Sequence, residues 1–199
     1  MNEATISDIR LGWLQRFCAI AQHESIARAA RACSIDPTAL SDSVQRLEEA
    51  LHILLIAPAT AHITARGRHF LPSAERVLEL SHLSPRTSAN VCVGWLQALI
   101  AAVENESYVK AAEALGWKRH RVMRGVSELE KWIGDRLIYS NGSLKLTATG
   151  ERNLPAFQEI VMILEKRAQP NLDFQRDKNK KRTRPWWLYS IKKKNVAAK

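Results

Sequence analysis

Leu14, Phe17, Cys18 and Ala21 fall three and four residues apart, the spacing of one face of an α-helix. Ser25 follows. A serine there can accept a backbone N–H at a helix start, and it predicts a second helix running to about Cys33. After a turn, Leu40, Val44, Leu47 and Leu51 mark the inner face of a third helix from about Asp36 to His52. Two short apolar pieces, Leu54–Ile56 and Ala61–Ile63, predict strands around a turn. Thr64 then opens a closing helix whose apolar stripe passes through Leu71, Val77, Leu78 and Leu80.

The same succession comes a second time. The string GWLQ occurs at Gly12–Gln15 and at Gly94–Gln97, an offset of 82. At that offset Ser25 meets Ser107, Arg28-Ala29-Ala30 meets Lys110-Ala111-Ala112, and Val44 meets Val126. Leu47-Glu48 meets Leu129-Glu130, and Leu55-Ile56 meets Leu137-Ile138. One inserted residue shifts the offset to 83, where Ile63-Thr64-Ala65-x-Gly67 meets Leu146-Thr147-Ala148-x-Gly150 and Leu71-Pro72 meets Leu154-Pro155. So many ordered matches are a duplication. The second copy predicts helices at about 93–104, 107–115 and 118–133, strands at 136–139 and 143–146 with Asn141-Gly142 as a tight turn, and a closing helix at 148–168. The expected fold class is mainly α: two tandem winged helix-turn-helix units, each followed by a linker helix, plus a basic tail. The expected segments are 1–83, a connection at 84–92, 93–169, and a tail at 170–199.

Both copies resemble the N-terminal DNA-binding domain of LysR-type transcriptional regulators. The residues that carry the likeness read SIARAARACSIDPTALSDSVQRLEEAL with HITARG, and SYVKAAEALGWKRHRVMRGVSELEKWI with KLTATG. They cover roughly residues 11–83 and 93–168. The resemblance implies a DNA-reading helix in each copy and dimerisation through linker helices. It departs from the family pattern in one respect: a second winged unit and a basic tail stand where an effector-binding domain normally follows. No small-molecule effector and no cofactor are therefore expected. The linker stripes, Leu71 to Leu80 and Leu154, Phe157, Ile160, Val161, Ile163 and Leu164, are expected to pair. Pairing within one chain and pairing between chains both stay open, the first being favoured because the second copy is already tethered.

Charge separates the two copies. The chain of 199 residues carries a formal net charge of +10, yet residues 1–92 hold nine Arg against nine Asp or Glu. The tail carries most of the excess, in two basic clusters around Trp186, Trp187, Leu188, Tyr189 and Ile191. Such a tail suits a polyanion, while its aromatic centre suits docking on the protein. At the start of its third helix the second copy has Lys118, Arg119, His120, Arg121 and Arg124, groups able to donate to guanine edges or phosphates. The first copy has Asp36, Pro37, Thr38, Ala39, Ser41 and Asp42 there, with Asp42 standing where Arg124 stands. The resemblance adds that Arg124 aligns with an arginine the family uses against DNA. It also implies that Ser107, Lys110, Ser143 and Lys145, at the second helix start and the wing, touch phosphate. Ordinary capping and surface roles account equally for those four. The candidate DNA contacts are thus Ser107, Lys110, Lys118, Arg119, His120, Arg121, Arg124, Ser143 and Lys145, with Ser25, Arg28, Thr38 and Ser41 as a secondary set in the first unit.

No catalytic motif or metal-ligand spacing stands out. His62 and His69 have no Cys or carboxylate at metal-ligand spacing in the sequence, and no phosphate loop or nucleophile elbow is present. The three cysteines, Cys18, Cys33 and Cys92, suit reduced thiols rather than a disulfide framework. The acidic N-terminus and the absence of any long apolar run point to a cytoplasmic protein with no membrane contact, and the resemblance implies a bacterial, nucleoid-associated one. The leading expectation is a non-enzymatic, sequence-specific transcriptional regulator. It would bind double-stranded DNA chiefly through its second unit, and a homodimer partner or second regulatory protein through its first. A plasmid replication or maintenance protein, and a cofactor that pairs with another regulator, are the alternatives.

Overall fold

The computed structural model describes residues 5–57, 62–81 and 90–168. The tail, the piece at Ala61 and most of the 84–92 connection lie outside the described residues. In chain order the elements are a short 3-10 turn Ile6–Asp8, then α1 Leu11–His23, α2 Ile26–Ala32, α3 Pro37–Leu51, α4 Ala65–Leu80, α5 Val93–Glu104, α6 Tyr108–Leu115, α7 Arg119–Ile133, β1 Ile138–Asn141, β2 Ser143–Leu146 and α8 Ala148–Arg167. By contact the chain divides into two units. One holds Trp13–Arg76; the other holds Val77–Glu165 together with Ile6–Gly12.

In the first unit the stripe of α1 contributes Leu14, Phe17 and Ile20 to the interior, and that of α3 contributes Leu40, Val44, Leu47 and Leu51. The Phe17 ring lies against Phe70 of α4, centroids 5.7 Å apart and tilted by 41°. Cys18 and Cys33 are both free thiols. Burial, aided by the charge of Glu75, pushes Cys18 up to about 12. The wing of this unit is reduced among the described residues to an isolated bridge between Ile56 and Ile63.

In the second unit α5 supplies Leu96 and Leu99, α7 supplies Val122, Val126 and Leu129, and α8 supplies Phe157, Ile160 and Leu164. The wing is a full antiparallel hairpin pairing Ile138 with Leu146 through Asn141 with Ser143. Its first strand starts two residues later than the expected 136–139. The reason lies at its base: Leu137 uses its N–H on Glu130 and its carbonyl on Thr147, so regular pairing begins only after it. The turn pivots on Gly142 at φ +76, a backbone state that glycine adopts freely.

Gly125 has a packing role. A Cβ there would lie 2.9 Å from Ala98 Cβ and 3.5 Å from Trp95 Cα, so the missing side chain lets α7 close on α5. A strap also joins this unit: Leu11 N–H donates to Val91 O and Val93 N–H to Ile9 O, both at 2.9 Å. Ile9 and Val91 are buried by it. The bridged residues, Arg10 and Cys92, occupy equivalent repeat positions 82 apart.

The repeated Leu-Glu and Thr-Ala-x-Gly residues make the same joint in both units. Glu48 Oε1 accepts from Leu55 N and Ile56 N at 2.8 and 2.9 Å, and Glu130 Oε1 from Leu137 N and Ile138 N at 2.9 and 3.3 Å. Thr64 Oγ1 donates to Leu54 O, and Thr147 Oγ1 to Arg136 O, while each hydroxyl caps the following helix at Gly67 N or Gly150 N. A Cβ on Gly67 would sit 2.3 Å from Leu55 O, and one on Gly150 2.1 Å from Leu137 O. The motif thus fixes the start of the wing to the end of the third helix and packs the linker helix against the strand backbone.

Candidate nucleic-acid interface

A helix start leaves its first N–H groups without intrahelical acceptors and carries partial positive charge, so acidic or hydroxyl caps stabilise it. α3 follows that rule. Asp36 is its N-cap, its carboxylate accepts from Thr38 N at 2.7 Å, and Pro37 opens the first turn. The Thr38 hydrogen bonds hold the Asp36 carboxyl below its ordinary value. α7 breaks the rule. Its N-cap is Lys118, which makes no side-chain capping bond, and no acid stands in its first turn. Lys118, Arg119, His120, Arg121 and Arg124 are all exposed. Each cation in a first turn opposes the helix dipole by about 0.3–1 kcal/mol at low ionic strength. The α7 start is therefore a place where helix stability is given up and positive charge with open N–H groups is concentrated, an arrangement that an anion relieves.

Equivalent positions of the two third helices carry opposite charge. Asp36 corresponds to Lys118, Asp42 to Arg124, and Arg46 to Glu128. Glu128 gives its carboxylate to Lys131 Nζ at 2.9 Å, and that hydrogen bond lowers its pKa. Arg124, one turn before Glu128, stays exposed.

The remaining candidates sit on neighbouring elements of the second unit. Ser107 is the N-cap of α6 and accepts from Val109 N at 3.2 Å, so its capping role is real. Lys110 is exposed in the first turn of α6, beside Val109, which is 49% exposed. Ser143 and Lys145 lie on β2; Ser143 is half-buried, and Lys145 is exposed opposite Tyr139, itself 44% exposed. In the first unit Ser25 caps α2 with a long 3.5 Å bond from Arg28 N, and the Arg28 side chain is exposed. Thr38 is half-buried. Ser41 does not belong to an open face: it is 2% exposed and its hydroxyl donates to Pro37 O at 2.9 Å. A serine four residues into a helix satisfies itself on the preceding turn, and the expectation of a DNA contact is withdrawn for it.

Trp117 escaped the sequence reading. It precedes the N-cap of α7, is half-buried, and carries the Arg121 guanidinium over its ring at 4.1 Å from the centroid. An aromatic residue four positions before an arginine at a helix start was the available signal. Among the described residues no group of three or more His, Cys, Asp or Glu is placed to hold a metal, and no helix is long and apolar enough to cross a membrane.

A family model described as a bacterial regulatory helix-turn-helix protein of the lysR family matches the chain twice, at residues 11–68 and 93–151. A probable nitrogen assimilation transcriptional activator of Synechococcus elongatus is 38% identical over 65 residues, which are 33% of this chain and 21% of that protein. An SDS degradation transcriptional activation protein of a Pseudomonas species is 41% identical over 68 residues, 33% of this chain and 22% of that protein. The chain thus spans about a fifth of the length of each of these relatives. No solved structure matches it significantly. With the family model covering both winged units and more than half of the residues, the chain belongs to the lysR family of bacterial regulatory helix-turn-helix proteins.

Proposed function

We propose that this protein is a sequence-specific, non-enzymatic DNA-binding transcriptional regulator that engages duplex DNA mainly through α7, acting at the bacterial nucleoid. One observation carries the reading: the uncapped, cationic start of α7 set against the acid-capped start of α3 in an otherwise matching unit. In a winged helix-turn-helix the start of this helix enters the major groove, where arginines donate to guanine and to phosphates. Lys110, Ser107, Ser143 and Lys145 are then phosphate contacts flanking it. The first unit, with Asp36 and Asp42 on its third helix, repels the DNA backbone at the same place. Its role is docking, to a second protomer or to another regulator. The names of the two relatives, both transcriptional activation proteins, support regulation of transcription over the other uses of a DNA-binding fold. Selection of duplexes from a random pool by the full chain tests the reading. A recovered consensus, with protection of promoter fragments that contain it, is expected; recovery of no consensus by the wild-type chain rejects it.

A further inference from the structure

We propose that Trp117 is a positioning residue that holds Arg121 flat for a guanine, and that this pair sets one base of the target sequence. The proposal rests on the DNA-binding reading of α7. Behind the ring, the Trp117 backbone N–H donates to Ala112 O at 2.8 Å and places the residue, while a Cβ on Gly94 would lie 3.5 Å from the far edge of the indole, so the ring lies over the start of α5. In front, the guanidinium carbon of Arg121 lies over the ring, 4.1 Å from its centroid. A guanidinium held over an indole face has lost much of its rotamer freedom before DNA arrives, and stacking on the ring favours a fork parallel to it. A planar fork pairs with the O6 and N7 acceptors that guanine presents in the major groove, whereas a mobile lysine or arginine serves phosphates equally well. The first copy is an internal control. Its equivalents of Trp117 and Arg121 are Ile35 and Ala39, so it has neither ring nor guanidinium at the place where it also lacks the cationic helix start.

The test compares the duplexes that the full-length chain and its variants select from a random pool, with affinities for the wild-type consensus measured over a range of salt. Arg121→Ala is expected to lose one guanine preference and to weaken binding about 5- to 150-fold. Trp117→Ile, the residue of the first copy, is expected to relax that same position alone, with a loss of about 2- to 30-fold and an unchanged salt slope. Trp117→Phe, which keeps a ring face, is expected to restore the preference. Arg121→Lys keeps the charge but not the fork, and is expected to keep the salt slope while losing the guanine. It decides the guanine contact, and if Trp117→Ile fails to fold, Trp117→Ala selecting the wild-type base would overturn the positioning role. A wild-type consensus that all the Arg121 variants leave intact, with uniformly weaker binding, would mean a phosphate contact and would overturn the proposal. So would a Trp117→Ile chain that folds and selects the wild-type base. These outcomes leave the DNA-binding reading standing. A wild-type chain that selects nothing would remove both.

Discussion

Glu48 is 2% exposed, and its carboxylate closes two backbone N–H groups at the wing of the first unit. Removing it leaves both donors unpaired where water does not reach, a cost on the order of 3 kcal/mol. Glu48→Ala is therefore expected to lower the urea midpoint more than Glu130→Ala, because Glu130 is only half-buried and water can substitute there. Equal midpoints for the two variants would contradict this. Asp36 gives a pH signature at the start of the same helix, α3. Its folded pKa lies below the ordinary 3.8, so the stability it contributes is present above that value and is lost as pH falls through the folded one. Asp36→Ser keeps an oxygen cap that does not titrate. Thermal midpoints between pH 6 and pH 3 should fall less steeply in that variant than in the wild type. The serine caps were legible in the sequence because a cap is a local matter of residue type and position. The joints made by Glu48, Thr64 and Gly67 were visible only as repeated letters. Their partners lie 7 to 12 residues away on backbone atoms that a pattern of side chains does not display.

At the scale of elements, α7 reaches its place by closing on α5 through Gly125. Alanine at that position gains helix propensity of about 1 kcal/mol but brings a Cβ to 2.9 Å from Ala98 Cβ. Overpacking of this kind costs about 1–3 kcal/mol, so Gly125→Ala is expected to be net destabilising in urea unfolding. A stabilised variant would show that the helices have room to part. The role of this glycine is not legible in the sequence, since periodicity identifies a face but not the depth to which it is buried. The helices themselves were legible, with ends within one or two residues, because long amphipathic stripes dominate short-range preference. The wing was less so: the start of β1 depends on which backbone groups the base of the wing has already used. Trp117 was missed for a related reason: its partner is a charged side chain, and an apolar stripe does not register such a contact.

For the whole molecule, the duplication produces two units of the same plan and opposite charge at the start of the third helix. The last turn of α4, Val77–Leu80, falls in the second unit by contact. We expect a cysteine pair introduced at Leu78 and Ile160, in a chain whose native cysteines are replaced, to cross-link into a product of monomer size on a denaturing gel. A mainly dimer-sized product would reject pairing of the linker helices within one chain. The central claim, that α7 reads DNA and α3 does not, predicts unequal effects from two equivalent positions. The most direct measurement is the affinity of the full chain for its selected duplex, by fluorescence anisotropy, in the Arg124→Ala and Asp42→Ala variants. Arg124→Ala is expected to weaken binding by about 1–3 kcal/mol, and Asp42→Ala to leave it unchanged or tighten it. Equal weakening by the two substitutions would contradict the account.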